Sequence, residues 1–199
     1  MARPRAQIDL AALADAFAAN GLHGTSSRAL AEAVGLAKAT LYVHGTSKEE
    51  LLLRAVQGEV ERVLDRLHAA ERATIGRGAR ERATAAARAL LDHAAARPAG
   101  ARLLAQTARH AGSVVALAVD EELQRIPDRI EHGLRRDLAA DGLEASGAAF
   151  LARALHGAAS AVARVRDGEQ RPARATLAAM CASMIPERPP PTGQDWPSA

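Results

Sequence analysis

Cysteine, aromatic side chains and long apolar runs are all scarce in this chain, and each scarcity removes a class of protein. The single cysteine, Cys181, rules out an internal disulfide framework and any multi-cysteine zinc site. Aromatic residues make up 2% of the 199 residues although 48% are hydrophobic, so alanine, leucine and valine must fill the core. That palette suits helices better than sheets, and an all-α fold is expected. Arginine or an acidic residue interrupts every apolar run before it reaches the roughly 20 residues of a membrane-spanning helix, so no membrane partner is expected. The first residues lack the apolar stretch of a signal peptide, and a cytoplasmic protein is the expectation.

Lysine is scarce too: Lys38 and Lys48 are the only two. The formal net charge of +3 resembles a nucleic-acid binder, but residues 1–50 hold five basic side chains (Arg3, Arg5, Arg28, Lys38, Lys48) against five acidic ones (Asp9, Asp15, Glu32, Glu49, Glu50). Any case for DNA therefore rests on where individual charges sit. The chain offers no nucleophile with a base and an orienting partner, and no glycine-rich phosphate loop behind a strand, so an enzyme is not expected. The seven histidines form no i,i+4 pair, and neither a metal nor a cofactor is expected. Cys181 has apolar neighbours at helical spacing and reads as a small buried hydrophobe rather than a redox sensor.

What is present is helical periodicity. Ile8, Ala12, Leu13, Ala16 and Phe17 mark a first helix over about 6–19, stopped by Asn20-Gly21. Leu30, Ala31 and Val34 mark a short second helix ending at Gly35, and a third follows over about 38–44. Ser47-Lys48-Glu49-Glu50 reads as a capping box for a long helix over about 48–72. Later stripes predict helices up to Arg97-Pro98, on to about Gly112, along Val115 to Leu138 with a kink or restart at Pro127, and over about 144–166 and 171–185. Residues 186–199, with Pro189-Pro190-Pro191, read as a disordered tail. About nine helices result.

Residues 24–50 carry the functional signal, because a short helix, a turn at Gly35, a second short helix and a capped third give helix-turn-helix spacing. Leu30, Ala31 and Val34 anchor the first helix, while Leu36 and Leu41 hold the second so that its outer residues can enter a major groove. Those outer residues are Lys38, Thr40, Tyr42 and His44. Lysine reaches guanine acceptors or phosphate, threonine a base edge or thymine methyl, and tyrosine a phosphate. Lys48 is a further phosphate candidate, and Thr25, Ser26 and Ser27 stand where a helix begins and amides are free.

Gly24-Thr25-Ser26, Leu30 to Leu36, Thr40-Leu41-Tyr42 and Ser47 to Leu51 together resemble the signature of tetracycline-repressor-like (TetR family) regulators, over about residues 8–55. The resemblance implies a three-helix DNA-binding domain at 1–47, a helical ligand-binding and dimerisation domain at 48–185, and the tail at 186–199. It implies a ligand-responsive repressor that acts as a homodimer on a double-stranded, pseudo-palindromic operator and answers to a small-molecule effector. Three positions depart from the pattern: Ala37 and Ala39 replace the usual hydroxyl and glycine, and Gly45 replaces an aromatic anchor. A sensor with weakened DNA binding, or a non-catalytic helical scaffold, are the alternative readings.

In the sensing region His93, Gln106, Arg109 and His110 are candidates to orient a ligand, set against ordinary core or surface roles. The scarcity of aromatics predicts a cavity walled by aliphatic side chains. For the dimer interface, Leu151, Leu155, Ala158 and Val162 form one stripe and Leu177, Met180, Cys181 and Met184 another, more apolar surface than one chain is expected to bury.

Overall fold

The computed structural model describes residues 8–44, 47–107, 114–164, 175–180 and 183–185. Every regular element among them is helical: α1 (Leu10–Gly24), α2 (Ser27–Ala33), α3 (Lys38–Leu41), α4 (Lys48–Ala73), α5 (Ala79–Ala96), α6 (Pro98–Thr107), α7 (Val114–Ala140) and α8 (Ala148–Ala163). Further helical residues lie at 175–180 and 183–184. The predicted tail falls outside the described residues. None of the described helices is long and apolar enough to cross a membrane.

Side-chain caps set several helix starts. The Asp9 carboxylate accepts from the amides of Ala11 and Ala12 at 2.8 and 3.1 Å, starting α1 later than the apolar pattern alone suggested. Asn20-Gly21 does interrupt the helix, since Gly21 takes φ 68°, but the chain gains one more turn to Gly24. Ser47 Oγ accepts from Glu50 N at 3.1 Å and opens α4. Gly78 has no side chain to cap α5, and Asp141 Oδ2, from beyond the end of α7, accepts from Ala79 N at 2.6 Å instead. Of the kink or restart expected at Pro127, the restart does not occur, since α7 runs through it as one element. A proline removes one backbone bond, and the buried Leu123, Ile126, Ile130 and Leu134 hold both sides of it in the same stripe.

α4 is the spine, packed against α1, α5, α6 and α7. One continuous core joins Leu13 and Phe17 of α1 to Leu51, Val56 and Val60 of α4 and on to Leu91, Leu103, Ile126 and Leu155. Charged groups also enter the interior, in pairs. Arg82 meets Asp137 at 2.8 Å between α5 and α7, and Arg129 meets Glu71 between α7 and α4. Glu59 on α4 is fully buried.

Candidate DNA interface and sensing region

The N-terminal site starts from two buried leucines. Leu30 on α2 and Leu41 on α3 have no exposed surface, and they fix both short helices against Leu13 and Phe17. Between them Gly35 takes φ 65°, a left-handed turn that only glycine adopts without strain, and Leu36 N donates to Ala31 O at 2.9 Å. The chain reverses within four residues, so α3 crosses α2 instead of extending it.

α3 is shorter than expected. Its α-helical part ends at Leu41, and amides of Val43 and His44 bond three residues back, to Thr40 and Leu41, which tightens the last turn. The N-cap Ala37 makes no side-chain capping bond, so nothing offsets the free amides of that first turn. Burial of Leu41 turns Lys38 and Thr40 outward, where both are exposed. Val43 is 60% exposed three residues after Thr40, on the same side. Sequence reading passed over Val43. Its signal was an apolar residue out of phase with Leu41, and its methyl groups suit a thymine methyl.

The remaining candidates brace the motif. Tyr42 is half-buried against the core, with its hydroxyl 2.5 Å from Ser27 Oγ. Ser26 spends its hydroxyl capping α2, accepting from Ala29 N at 3.1 Å. Thr25 needs correcting as a hydroxyl contact: it is 1% exposed, and Oγ1 donates to Gly21 O at 2.6 Å, tying α2 to the kink in α1. Lys48 Nζ donates to Thr25 O at 3.2 Å, which leaves ammonium donors over. His44 is half-buried, and its carbonyl accepts from Arg54. Gly45 lies outside the described residues.

Of the candidate ligand contacts, His93 is 3% exposed, while Gln106 is solvent-exposed on α6 and does not share that buried setting. Arg109 and His110 lie outside the described residues. Burial, reinforced by the charges of Arg66, Arg97 and Arg62, pushes the His93 pKa down to about 4, so the ring is neutral near pH 7. It lines a small pocket with His156 of α8, which no periodicity or pairing in the sequence distinguished. Burial lowers the His156 pKa as well.

The expected dimer stripe is largely used within the chain. Leu155, Val162 and Leu177 are buried, and Leu151 and Ala158 pack half-buried on the core, because α8 lies across α5, α6 and α7. One chain therefore does bury most of that surface. The apolar groups left outside are Phe150 at 72% exposure, Met180 and Met184, with Gly157 and Ala161 exposed along the Phe150 side of α8. Cys181 lies outside the described residues.

Residues 10–55 match the family of bacterial regulatory proteins designated tetR. A comparison with curated protein sequences finds no match. Among solved structures, a transcriptional regulator from Rhodococcus sp. Rha1 is similar at 26% identity and a TM-score of 0.74, over 88% of this chain and 92% of that one. A TetR-like transcriptional regulator from Rhodococcus sp. RHA1 is similar at 27% identity and a TM-score of 0.65, over 86% and 90%. The regulator FadR from Bacillus subtilis in complex with stearoyl-CoA shares the fold, with 15% identity and a TM-score of 0.73 over 89% and 97%. Residues 10–55 thus match the tetR family of bacterial regulatory proteins, and the chain as a whole is similar in fold to solved TetR-like transcriptional regulators.

Proposed function

We propose that the chain is an effector-responsive repressor that binds a pseudo-palindromic operator as a homodimer, with residues 1–47 docking on DNA and residues 48–185 forming the sensing and pairing unit. The observation that carries this reading is α3. Leu41 is fully buried while Lys38, Thr40 and Val43 stand exposed, the division of labour that a recognition helix needs. Lys38 and Thr40 supply hydrogen bonds to base edges, and Val43 supplies a methyl surface. Lys48 and the Ser26-Ser27 turn supply the phosphate contacts that set register without reading sequence.

Two copies are needed because four residues of helix reach only a few base pairs. The pairing surface we assign is the exposed side of α8, Phe150, Gly157 and Ala161, together with Met180 and Met184. An exposed phenylalanine beside glycine and alanine permits close helix approach around an aromatic anchor. For the effector, the neighbour crystallised with stearoyl-CoA supports a small molecule received by the helical domain.

A sensor with weakened DNA binding is the second reading, favoured by the uncapped Ala37. Selection of bound duplexes from random DNA with the purified full chain separates the two. Enrichment of an inverted repeat supports the repressor, and failure to enrich any sequence supports the sensor.

A further inference from the structure

His93 stands between a small, mostly apolar pocket and a chain of charged contacts that ends on α1. The pocket is walled by Val63 of α4, Leu90 of α5, Leu104 of α6, Ile126 of α7 and Ala159 of α8, so five helices converge on it. Among the described residues its hydrogen-bonding side chains are His93, His156 and Ser160, and no carboxylate or arginine lines it. On its other side His93 places Nε2 3.4 Å from Glu59 Oε2. A carboxylate can only accept, so the proton of the neutral ring belongs on Nε2 and Nδ1 is left as an acceptor. Among the described residues both ring nitrogens and Glu59 Oε2 are buried without a hydrogen-bond partner, so the Nε2–Oε2 approach is a charge contact and Nδ1 is left without a polar partner.

Glu59 passes the contact on. Its Oε1 accepts from Arg97 Nη2 at 2.8 Å, and the same guanidinium reaches Asp15 on α1 at 2.8 Å and the Ala11 carbonyl at 3.2 Å. Arg97 therefore bridges the sensing helices to the helix that carries the DNA-binding motif. Glu59 has no room to retreat, because Gly100 of α6 presses against its carboxylate so closely that a Cβ there would collide with Oε2.

We infer that this pocket binds a neutral, mostly apolar molecule whose hydroxyl donates to His93 Nδ1, and that its entry loosens the Arg97 bridge to α1. The inference rests on the effector-responsive reading above. Among the described residues the lining offers no formal charge, so an anionic group would be buried unpaired, whereas a hydroxyl can donate to the free acceptor nitrogen of the His93 ring. The pocket holds about 30 Å³, room for little more than a water, so any such ligand must part the helices around it. Parting them displaces the His93 ring against Glu59, and with Gly100 behind the carboxylate the displacement falls on the two arginines that hold Oε1, Arg62 at 3.3 Å and Arg97 at 2.8 Å, of which Arg97 reaches α1. Arg97 acts here as a positioning residue.

The test uses the full-length protein with 1-octanol, octanoate and octane as probes. It is read by thermal unfolding and by hydrogen exchange of the α1 amides, neither of which needs an operator. 1-Octanol is expected to raise the unfolding midpoint saturably, more than octane does, and to speed α1 exchange by about tenfold, a factor that the loss of one charged contact can supply. Octanoate is expected to do neither. His93→Leu should abolish the preference for octanol over octane, and His93→Asn, which keeps an acceptor, should retain part of it. Arg97→Met should show the fast α1 exchange without any probe. A larger shift with octanoate than with octanol, or α1 exchange that ignores bound octanol, overturns the proposal. An undiminished octanol preference in His93→Leu overturns it as well; if that variant does not fold, a full preference in both wild type and His93→Gly does so in its place. An octanol response in a protein that selects no DNA would reject the repressor reading and leave this site standing.

Discussion

The Tyr42 hydroxyl and Ser27 Oγ lie 2.5 Å apart, joining the last turn of α3 to the first residue of α2. α3 has four helical residues and no side-chain cap, so this bond and the burial of Leu41 carry much of its orientation. Tyr42→Phe and Ser27→Ala should each cost about 0.5–1.5 kcal/mol in urea denaturation. The double variant should lose little more than either single one. Losses that simply add would show that the two hydroxyls act separately.

Lys48 and Thr40 should separate by the kind of DNA binding they affect. Lys48→Ala should weaken specific and nonspecific duplexes alike and lower the salt slope by about one unit, as the loss of one phosphate contact does. Its bond to Thr25 O adds a modest loss of stability, read by the same denaturation. Thr40 is exposed and free of such a duty, so Thr40→Ala should change preference at one position per half-site, by about 1–3 kcal/mol for the preferred base. Uniform loss across sequences would move Thr40 to the phosphate contacts.

The helices were legible in the sequence because their signals are local. Ser47, Gly35 and the spacing from Leu52 to Leu67 each announce themselves within a few residues, and α4 begins and ends within a residue of its expected bounds. Outward Lys38 and Thr40 followed from inward Leu41 by the same logic. What could not be read is pairing across distance. Asp15, Glu59 and Arg97 are separated by 38 to 82 residues in sequence, and nothing in the pattern around Glu59 marks it as fully buried. The stripe from Leu151 to Val162 was visible, but periodicity shows only that a face is apolar. Whether its own chain or a second copy covers that face depends on where α5, α6 and α7 lie.

That distinction gives a prediction for the proposed dimer. Phe150→Asp places a charge on the outer side of α8 and should yield monomers by sedimentation with helical content intact. Leu155→Arg, by contrast, buries an unpaired charge inside the chain and should cost on the order of 3–5 kcal/mol of stability. Dimers that survive Phe150→Asp would place the interface elsewhere.

Stability should fall on mild acidification through His93. Its pKa is about 4 in the fold against 6.5 ordinarily, with burial the main cause and Arg66, Arg97 and Arg62 adding to it. Between those values the unfolded chain takes up a proton that the folded one refuses, so this group's contribution is undiminished above about pH 6.5 and is lost progressively toward pH 4. The full loss is up to about 3 kcal/mol. Comparing wild type with His93→Asn across that window isolates it from carboxylate titration, and parallel curves would show that Glu59 offsets the arginines.

In the proposed dimer two copies present α3 to successive major grooves. Hydroxyl-radical footprinting of the full chain on a selected duplex measures this directly. Two protected patches are expected on one face of the DNA, centred about one helical turn apart, with Thr40→Ala altering base preference inside each patch. A single patch, or protection without regular spacing, would contradict that arrangement.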